Sequence, residues 1–398
     1  MNLNLFHASD LHFCEKHLKH VDRAFAFAVD EAIARKCDMA VLSGDSFDAS
    51  VSLHEPAVNA FFSQVRRLAD HMPICVLQGT YSHDRPGSLS PLRHIGGHYP
   101  VLVADRIGQA AWDGQHWIQS KGAKFDQIPD GPLALLNLLP SINKGAVAAA
   151  VGAEAAAEAA GEAVFQLCRG WASTNEAARQ AGIPTIMVTH GTVNGSVTEC
   201  ATALISQDHE FTAGALFAAQ TSVVLIGHIH AAQEFRDGRR VIAYPGSITK
   251  LIYGHKGQVG CLFWNINAHG ADYEHVATPS REMIEIDFEG SPDMERLAAL
   301  AADAPDGAYV RIRWAIDEEF RASVDKAAML ALFPTAEDVK LEGRVLPVSR
   351  QRCAGIGQAV STADKLRRWG ELTDTDTGPL LERLALLEAG QPAQEEAA

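Results

Sequence analysis

The chain lacks the signs of an oxidising or membrane environment. Its seven cysteines (Cys14, Cys37, Cys75, Cys168, Cys200, Cys261 and Cys353) are odd in number and scattered, and no Cys-x-x-Cys pair occurs. This argues against a disulfide framework and a thiolate zinc site, and for reduced, mostly buried thiols in a cytoplasmic protein. No apolar run approaches the length needed to cross a bilayer, so no membrane association is expected. Asp10 interrupts the first apolar stretch before it could act as a signal peptide. Positive charge is also scarce, with 34 Lys and Arg against 49 Asp and Glu and a formal net charge of −15. That balance opposes tight electrostatic wrapping of nucleic acid by this chain alone. A nucleic-acid substrate stays compatible if two bound cations add about +4 at the site. No internal repeat is visible.

What is present is a globular composition, 47% apolar and 21% charged over 398 residues. That length suits one large domain and a smaller one. Residues 1–140 alternate strand-like runs (3–6, 39–42, 74–77, 133–138) with helical periodicity at 21–34 and 58–68, the pattern of a sheet covered by helices. Residues 145–181 are Ala-rich, with Glu154, Glu158, Glu162 and Glu176, and read as a helix broken near Gly170. Strands follow at 185–188, 223–226, 240–244, 260–266 and 273–277. The reading is a large domain over 1–280 and a small α+β module over 281–350, with strands at 283–288 and 309–314 and helices at 292–302 and 319–332. An amphipathic helical segment at 360–389, broken at Thr373–Gly378, then leads to a solvated tail, Gln391–Ala398.

Five short segments carry the chemistry: Asp10-Leu-His12, Gly44-Asp45-Ser-Phe-Asp48, His83-Asp84, Thr189-His190-Gly191 and Gly227-His228-Ile-His230. Each follows an apolar strand-like run. Side chains at the carboxyl ends of neighbouring strands converge on the rim where open α/β sheets bind ligands. Asp10 and His12, like His228 and His230, are two apart and share a face of an extended segment. A hard carboxylate and a borderline imidazole can then grip one metal. Gly44 lets the backbone turn and frees the Asp45 carboxylate to bridge two cations. Such a pair of cations acidifies water and serves in-line displacement at phosphorus. Any one of these pairs is common in isolation; their joint occurrence in this order is not.

The series Asp10-x-His12, Gly44-Asp45-x-x-Asp48, His83-Asp84, His190 and Gly227-His228-x-His230 resembles the calcineurin-like metallophosphoesterases. The fuller stretches Leu5–His12, Gly44–Asp48, Gly227–Gln233 and Tyr244–Ile248 are similar to those of SbcD-type DNA-repair nucleases and their phage and prophage relatives. Leu341–Arg344 and Asp364–Trp369 resemble the capping region more weakly. The resemblance implies a four-layer αββα sandwich with a small α+β capping domain and a helical tail. It implies one metal on Asp10, His12, Asp45 and His230, and a second on Asp45, His190 and His228. The metals it implies are manganese, with magnesium, iron or zinc as possible alternatives. His83 would contact the scissile phosphate and assist the leaving oxygen, Asp84 would orient His83, and Asp48 would brace the ligands.

One departure stands out. The family's Gly-Asn-His-Asp/Glu, whose Asn ligates the second metal, is replaced by Gly79-Thr-Tyr-Ser-His-Asp84. Anchoring on His83 puts Ser82 in the Asn place, the favoured reading; anchoring on Gly79 puts Thr80 there. Either hydroxyl predicts a weaker second site. Arg85, Lys250 and Lys256 are candidates for substrate phosphates, with Arg93 and His255 nearby. His7 reads as structural, and His17, His20, His94, His98 and His209 read as ordinary histidines. The resemblance further implies DNA as substrate, a homodimer, and an SbcC-like ATPase docked on 360–389. A phosphatase or small-molecule phosphodiesterase, and a non-catalytic subunit, are the competing functions.

Overall fold

The structure is a computed structural model that describes residues 2–142, 156–202, 210–347 and 356–390. His209, Cys353, the start of the Ala-rich stretch with Glu154, and the tail Gln391–Ala398 lie outside the described residues. Two sheets face one another. The first has six strands in the order Gly270–Ala277, Gly260–Asn267, Leu3–Ala8, Met39–Leu42, Ile74–Leu77 and Val101–Ala104. The last four of these run parallel, and the first two form an antiparallel edge. The second sheet has seven strands, in the order Gln233–Asp237, Arg240–Tyr244, Val223–Gly227, Thr185–His190, Ala134–Leu139, Gly108–Trp112 and Trp117–Gln119. Its central four are parallel, and both edges are antiparallel.

The period-two geometry of a strand sorts these apolar runs onto two faces. Leu3, Leu5, Met39, Val41, Cys75 and Leu77 face the second sheet and pack on Leu136, Leu138, Ile186, Val188 and Leu225. Phe6, Ala8, Ala40, Leu42, Ile74 and Val76 face outward, against the helices Leu18–Ala34 and Pro56–Ala69. Helix Ala156–Gln180 covers the outer face of the second sheet through Val164, Cys168 and Trp171. The order helix, sheet, sheet, helix is the four-layer αββα sandwich the sequence predicts. Both faces are buried, so the parallel strands read as continuous apolar runs.

The expected break at Gly170 does not occur. The helix runs through it, because Val164, Cys168, Trp171, Asn175 and Ala178 keep one buried stripe. The Trp171 indole N–H donates to the Ala123 carbonyl at 2.6 Å. Burial of that ring outweighs a glycine cost of about 1 kcal/mol.

Strands Met283–Glu289, Tyr309–Asp317 and Asp338–Leu346 make a three-stranded sheet, in that order. The helix expected over 319–332 is instead a 3-10 segment, Glu318–Ser323, followed by a short helix, Lys326–Ala331. Helices Thr362–Thr373 and Gly378–Ala389 are separated at the expected place, where Asp374 takes φ 51°. The chain divides into two compact units. One comprises Met1–Asp287, Met294–Ile312 and Ala327–Leu341, the other Phe288–Asp293, Arg313–Lys326 and Glu342–Ala398. Among the described residues no helix is long and apolar enough to cross a membrane.

One aromatic cluster links this packing to the strand ends. Phe61, from the second helix, meets Phe13 at 5.5 Å, Phe47 at 5.2 Å and Phe25 at 6.4 Å between ring centroids. Phe13 and Phe47 directly follow the His12 and Asp45-Ser46 segments. Phe61→Ala is expected to cost about 3–5 kcal/mol, read from urea denaturation, and Phe61→Leu markedly less.

Candidate metal centre

The loops after Leu3–Ala8 and Met39–Leu42 are zipped together by backbone hydrogen bonds. Asp10 N donates to Gly44 O, His12 N to Asp45 O, and Phe13 N to Ser46 O, at 2.9–3.1 Å. This pairing places Asp10, His12 and Asp45 in left-handed backbone, at φ 52°, 52° and 51°. His228 is at φ 102°. Each such non-glycine residue costs about 1–3 kcal/mol and persists only because its surroundings dictate it. Gly44 is at φ 103°, and a Cβ there would come within 2.3 Å of the His190 ring. At Gly79 a Cβ would lie 2.2 Å from Asp45 N. Both positions therefore exclude a side chain.

The donors form three groups whose ligand atoms lie within 4.8 Å of one another: Asp10 with His12 and His230; Asp45 with His190 and His228; and His12 with Asp48 and His83. Both oxygens of Asp10 accept the His228 backbone N–H at 3.0 Å. His190 Nε2 is 3.2 Å from Asp45 Oδ2, and His12 Nε2 is 3.1 Å from His230 Nε2. Two of the imidazoles share one arrangement. The His190 Nδ1–H donates to Ser43 O at 2.8 Å, and the His83 Nδ1–H to Asp48 O at 2.7 Å. Asp48 Oδ1 stands 3.3 Å from His12 Nδ1. An acceptor behind Nδ1 fixes the tautomer and leaves Nε2 facing inward.

Electrostatics agree with a site built for positive charge. Burial would raise the Asp45 carboxyl, but the imidazoles of His190, His12 and His83 outweigh it and hold it well below the carboxylate range. Burial, helped by the Asp45 charge, pushes Asp10 up despite neighbouring imidazoles. Burial opposes protonation of His190, yet the Asp45 carboxylate pushes it up to about 9. His12 is raised, against burial, by Asp48, Asp45 and Asp10. Burial and then His12 drive His230 well below its usual value. The carboxylates that raise His190 and His12 are the same groups that would balance the charge of a cation. Two carboxylates and several inward imidazole nitrogens also suit a borderline divalent ion. The residues present fit two metal ions.

Two sequence expectations are corrected. Ser82 is exposed in the turn after Thr80. Thr80 is the hydroxyl at the cluster: its Oγ1 lies 3.2 Å from Asp45 Oδ2 and 3.3 Å from His190 Nε2, and its N–H donates to Asp45 Oδ1 at 2.6 Å. The two extra residues are absorbed by a turn in which the His83 and Asp84 N–H groups both donate to Thr80 O. Asp84 also does not orient His83. It is wholly buried and accepts N–H bonds from Ser46, Phe47 and Gly79, tying the Asp45 loop to the Gly79 loop. Burial and the Asp45 charge push it up to about 7 despite those donors. The backbone carbonyl of Asp48 orients His83 instead.

The cleft above these residues has a volume of about 580 Å³. Its ammonium group comes from Lys16, and His17, Glu199, Leu251 and Ile252 complete its rim. Sequence reasoning missed Lys16 and Glu199 and set His17 aside; the only signal for Lys16 and His17 was their position after His12. Arg85 and Lys256 are exposed, and the Lys250 ammonium lies 3.3 Å from Glu282. None of the three lines the cleft. His7 is buried between the sheets with Nε2 2.8 Å from Ser43 Oγ, and burial lowers it to about 3. Arg93 is held by Asp105 and the Val103 carbonyl.

No family model matches the chain, and no curated protein matches it. Several solved structures are distantly alike. GAP50, the anchor in the inner membrane complex of Plasmodium, is 12% identical, over 69% of this chain and 84% of that one, with a TM-score of 0.43. A protein described as a 5′-nucleotidase, from Staphylococcus aureus, is 15% identical, over 70% of this chain and 55% of that one, at 0.40. Phosphopantetheinyl hydrolase from Mycobacterium tuberculosis is 14% identical, over 61% and 88%, at 0.30. Likeness at these scores assigns neither fold nor function, which rest on the layers and distances above.

Asp84→Asn turns an acceptor of backbone N–H groups into a partial donor facing them. Its expected cost is about 2–3 kcal/mol in denaturant unfolding without added metal, since its partners are amides rather than cations.

Proposed function

We propose that this chain is a two-cation phosphodiester hydrolase and that its substrate is DNA. The observation that carries the reading is the convergence of inward imidazole nitrogens with Asp10 and Asp45 at the ends of parallel strands from both sheets. In this reading Asp10, His12, Asp45 and His230 hold one ion, and Asp45, His190, His228 and Thr80 hold the other. When bound, such ions supply Lewis acidity toward a phosphoryl oxygen and acidify water. Manganese is the proposed metal.

The chain's own groups divide the remaining work. His83 is partly exposed at the cleft, with Nδ1 committed to Asp48 O. Its Nε2 is left to contact a phosphoryl oxygen or pass a proton to the departing oxygen. Asp48 holds His83 through its carbonyl and stands with its carboxylate 3.3 Å from the His12 ring. Lys16 offers the cleft a cation for a flanking phosphate. The exposed leucines Leu380, Leu386 and Leu387 of the last helix support docking of an ATPase-type partner. A cytoplasmic homodimer belongs to the same proposal.

A small phosphodiester or phosphomonoester is the second reading, favoured by the net charge of −15. Linear duplex and single-stranded oligonucleotides, compared with a bis-aryl phosphodiester in manganese and in magnesium, separate the two. Faster turnover of DNA is expected; turnover of the aryl ester alone would sink the nuclease assignment. His83→Ala should lower kcat by about 10²-fold or more while cation stoichiometry stays unchanged. A threonine hydroxyl is a modest ligand, so manganese titration should show one tight and one weaker site. Thr80→Asn should narrow the gap.

A further inference from the structure

Two of the inward-facing imidazoles donate their Nδ1–H to a backbone carbonyl, His190 to Ser43 O and His83 to Asp48 O, while the His12 Nδ1 stands 3.3 Å from the Asp48 carboxylate without a hydrogen bond. His230 has no such bond. Its Nδ1 is buried and makes no hydrogen bond, although its Nε2 points at His12 Nε2 at 3.1 Å. The carboxylate facing that nitrogen belongs to Glu199, with Oε1 3.9 Å away.

Glu199 is held there by its surroundings. The Gln233 side chain clamps Val197, two residues earlier, through both of its backbone polar groups. Its Oε1 accepts the Val197 N–H at 3.0 Å, and its Nε2 donates to Val197 O at 2.9 Å and to Ala231 O at 3.1 Å. Thr198 and Thr202 close the turn, with N–H to O at 2.9 Å and hydroxyls 2.7 Å apart. Glu199 O accepts the Lys256 N–H at 2.9 Å. The turn is thus fastened to the segment that carries His230 and to the 255–257 loop, and Glu199 lines the cleft beside His230.

We infer that Glu199 is the positioning residue for His230: its carboxylate accepts the Nδ1–H, fixing the tautomer in which Nε2 faces the cation. A ligating imidazole carries a more acidic N–H, which strengthens its attraction to a carboxylate. Losing such a partner typically weakens metal binding 10–100-fold. The inference rests on the two-cation reading.

The test is manganese binding by the full chain, read by calorimetry, with wild type, Glu199→Ala and Glu199→Gln compared. The alanine variant should bind one of two manganese ions about 10–100-fold more weakly. The glutamine variant keeps an acceptor oxygen and should fall between it and wild type. Circular dichroism checks that each variant folds; if the alanine chain does not, the glutamine chain, which keeps the shape, carries the test. Wild-type affinity in the folded variants would overturn the role of Glu199 and leave the two-cation reading intact. A wild-type chain that takes up no manganese would overturn both.

Discussion

The site depends on a backbone constraint more than on any single ligand. Hydrogen bonds from the 10–13 segment to the 44–46 segment fix where Asp10, His12 and Asp45 stand. Asp84, buried beneath, draws the 46–47 and Gly79 amides onto one carboxylate. These contacts offset the cost of the left-handed residues. Behind them the Phe61 cluster packs Phe13 and Phe47 into the helix layer. The chain thus uses core packing to hold polar geometry, and the donors need little rearrangement to meet a cation.

Much of this was legible beforehand. The parallel strands are apolar on both faces, so 3–6, 39–42, 74–77, 185–188 and 223–226 stood out as runs, and the site residues stood out by following them. Their alternation with helical periodicity pointed to a sheet covered by helices, and the four-layer order was what the family resemblance implied. Harder to see were the edge strands. Gln233–Asp237 and Trp117–Gln119 are short, and their stability comes from pairing with Arg240–Tyr244 and Gly108–Trp112 rather than from their own pattern. Gly170 misled because local propensity argues for a break, whereas the buried stripe on either side of it decides the outcome.

Within the site, residue type was legible and partnership was not. A sequence shows that Asp84 adjoins His83 but not that its carboxyl turns away toward three backbone amides. It shows two hydroxyls, at Thr80 and Ser82, without showing that the turn at 80–84 absorbs the insertion and leaves Thr80 in front. Glu199 was invisible for a related reason. It lies 31 positions before His230 and is brought beside it by the clamp on Val197 made by Gln233 and by the Lys256 N–H.

The donors come from both sheets. Asp10, His12, Asp45 and His83 follow strands of the first, while His190 ends a strand of the second and His228 and His230 follow another. During synthesis the early donors emerge from the ribosome well before the late ones. A nascent chain therefore holds half of the donor set, and the cluster is complete only when the second sheet closes on the first.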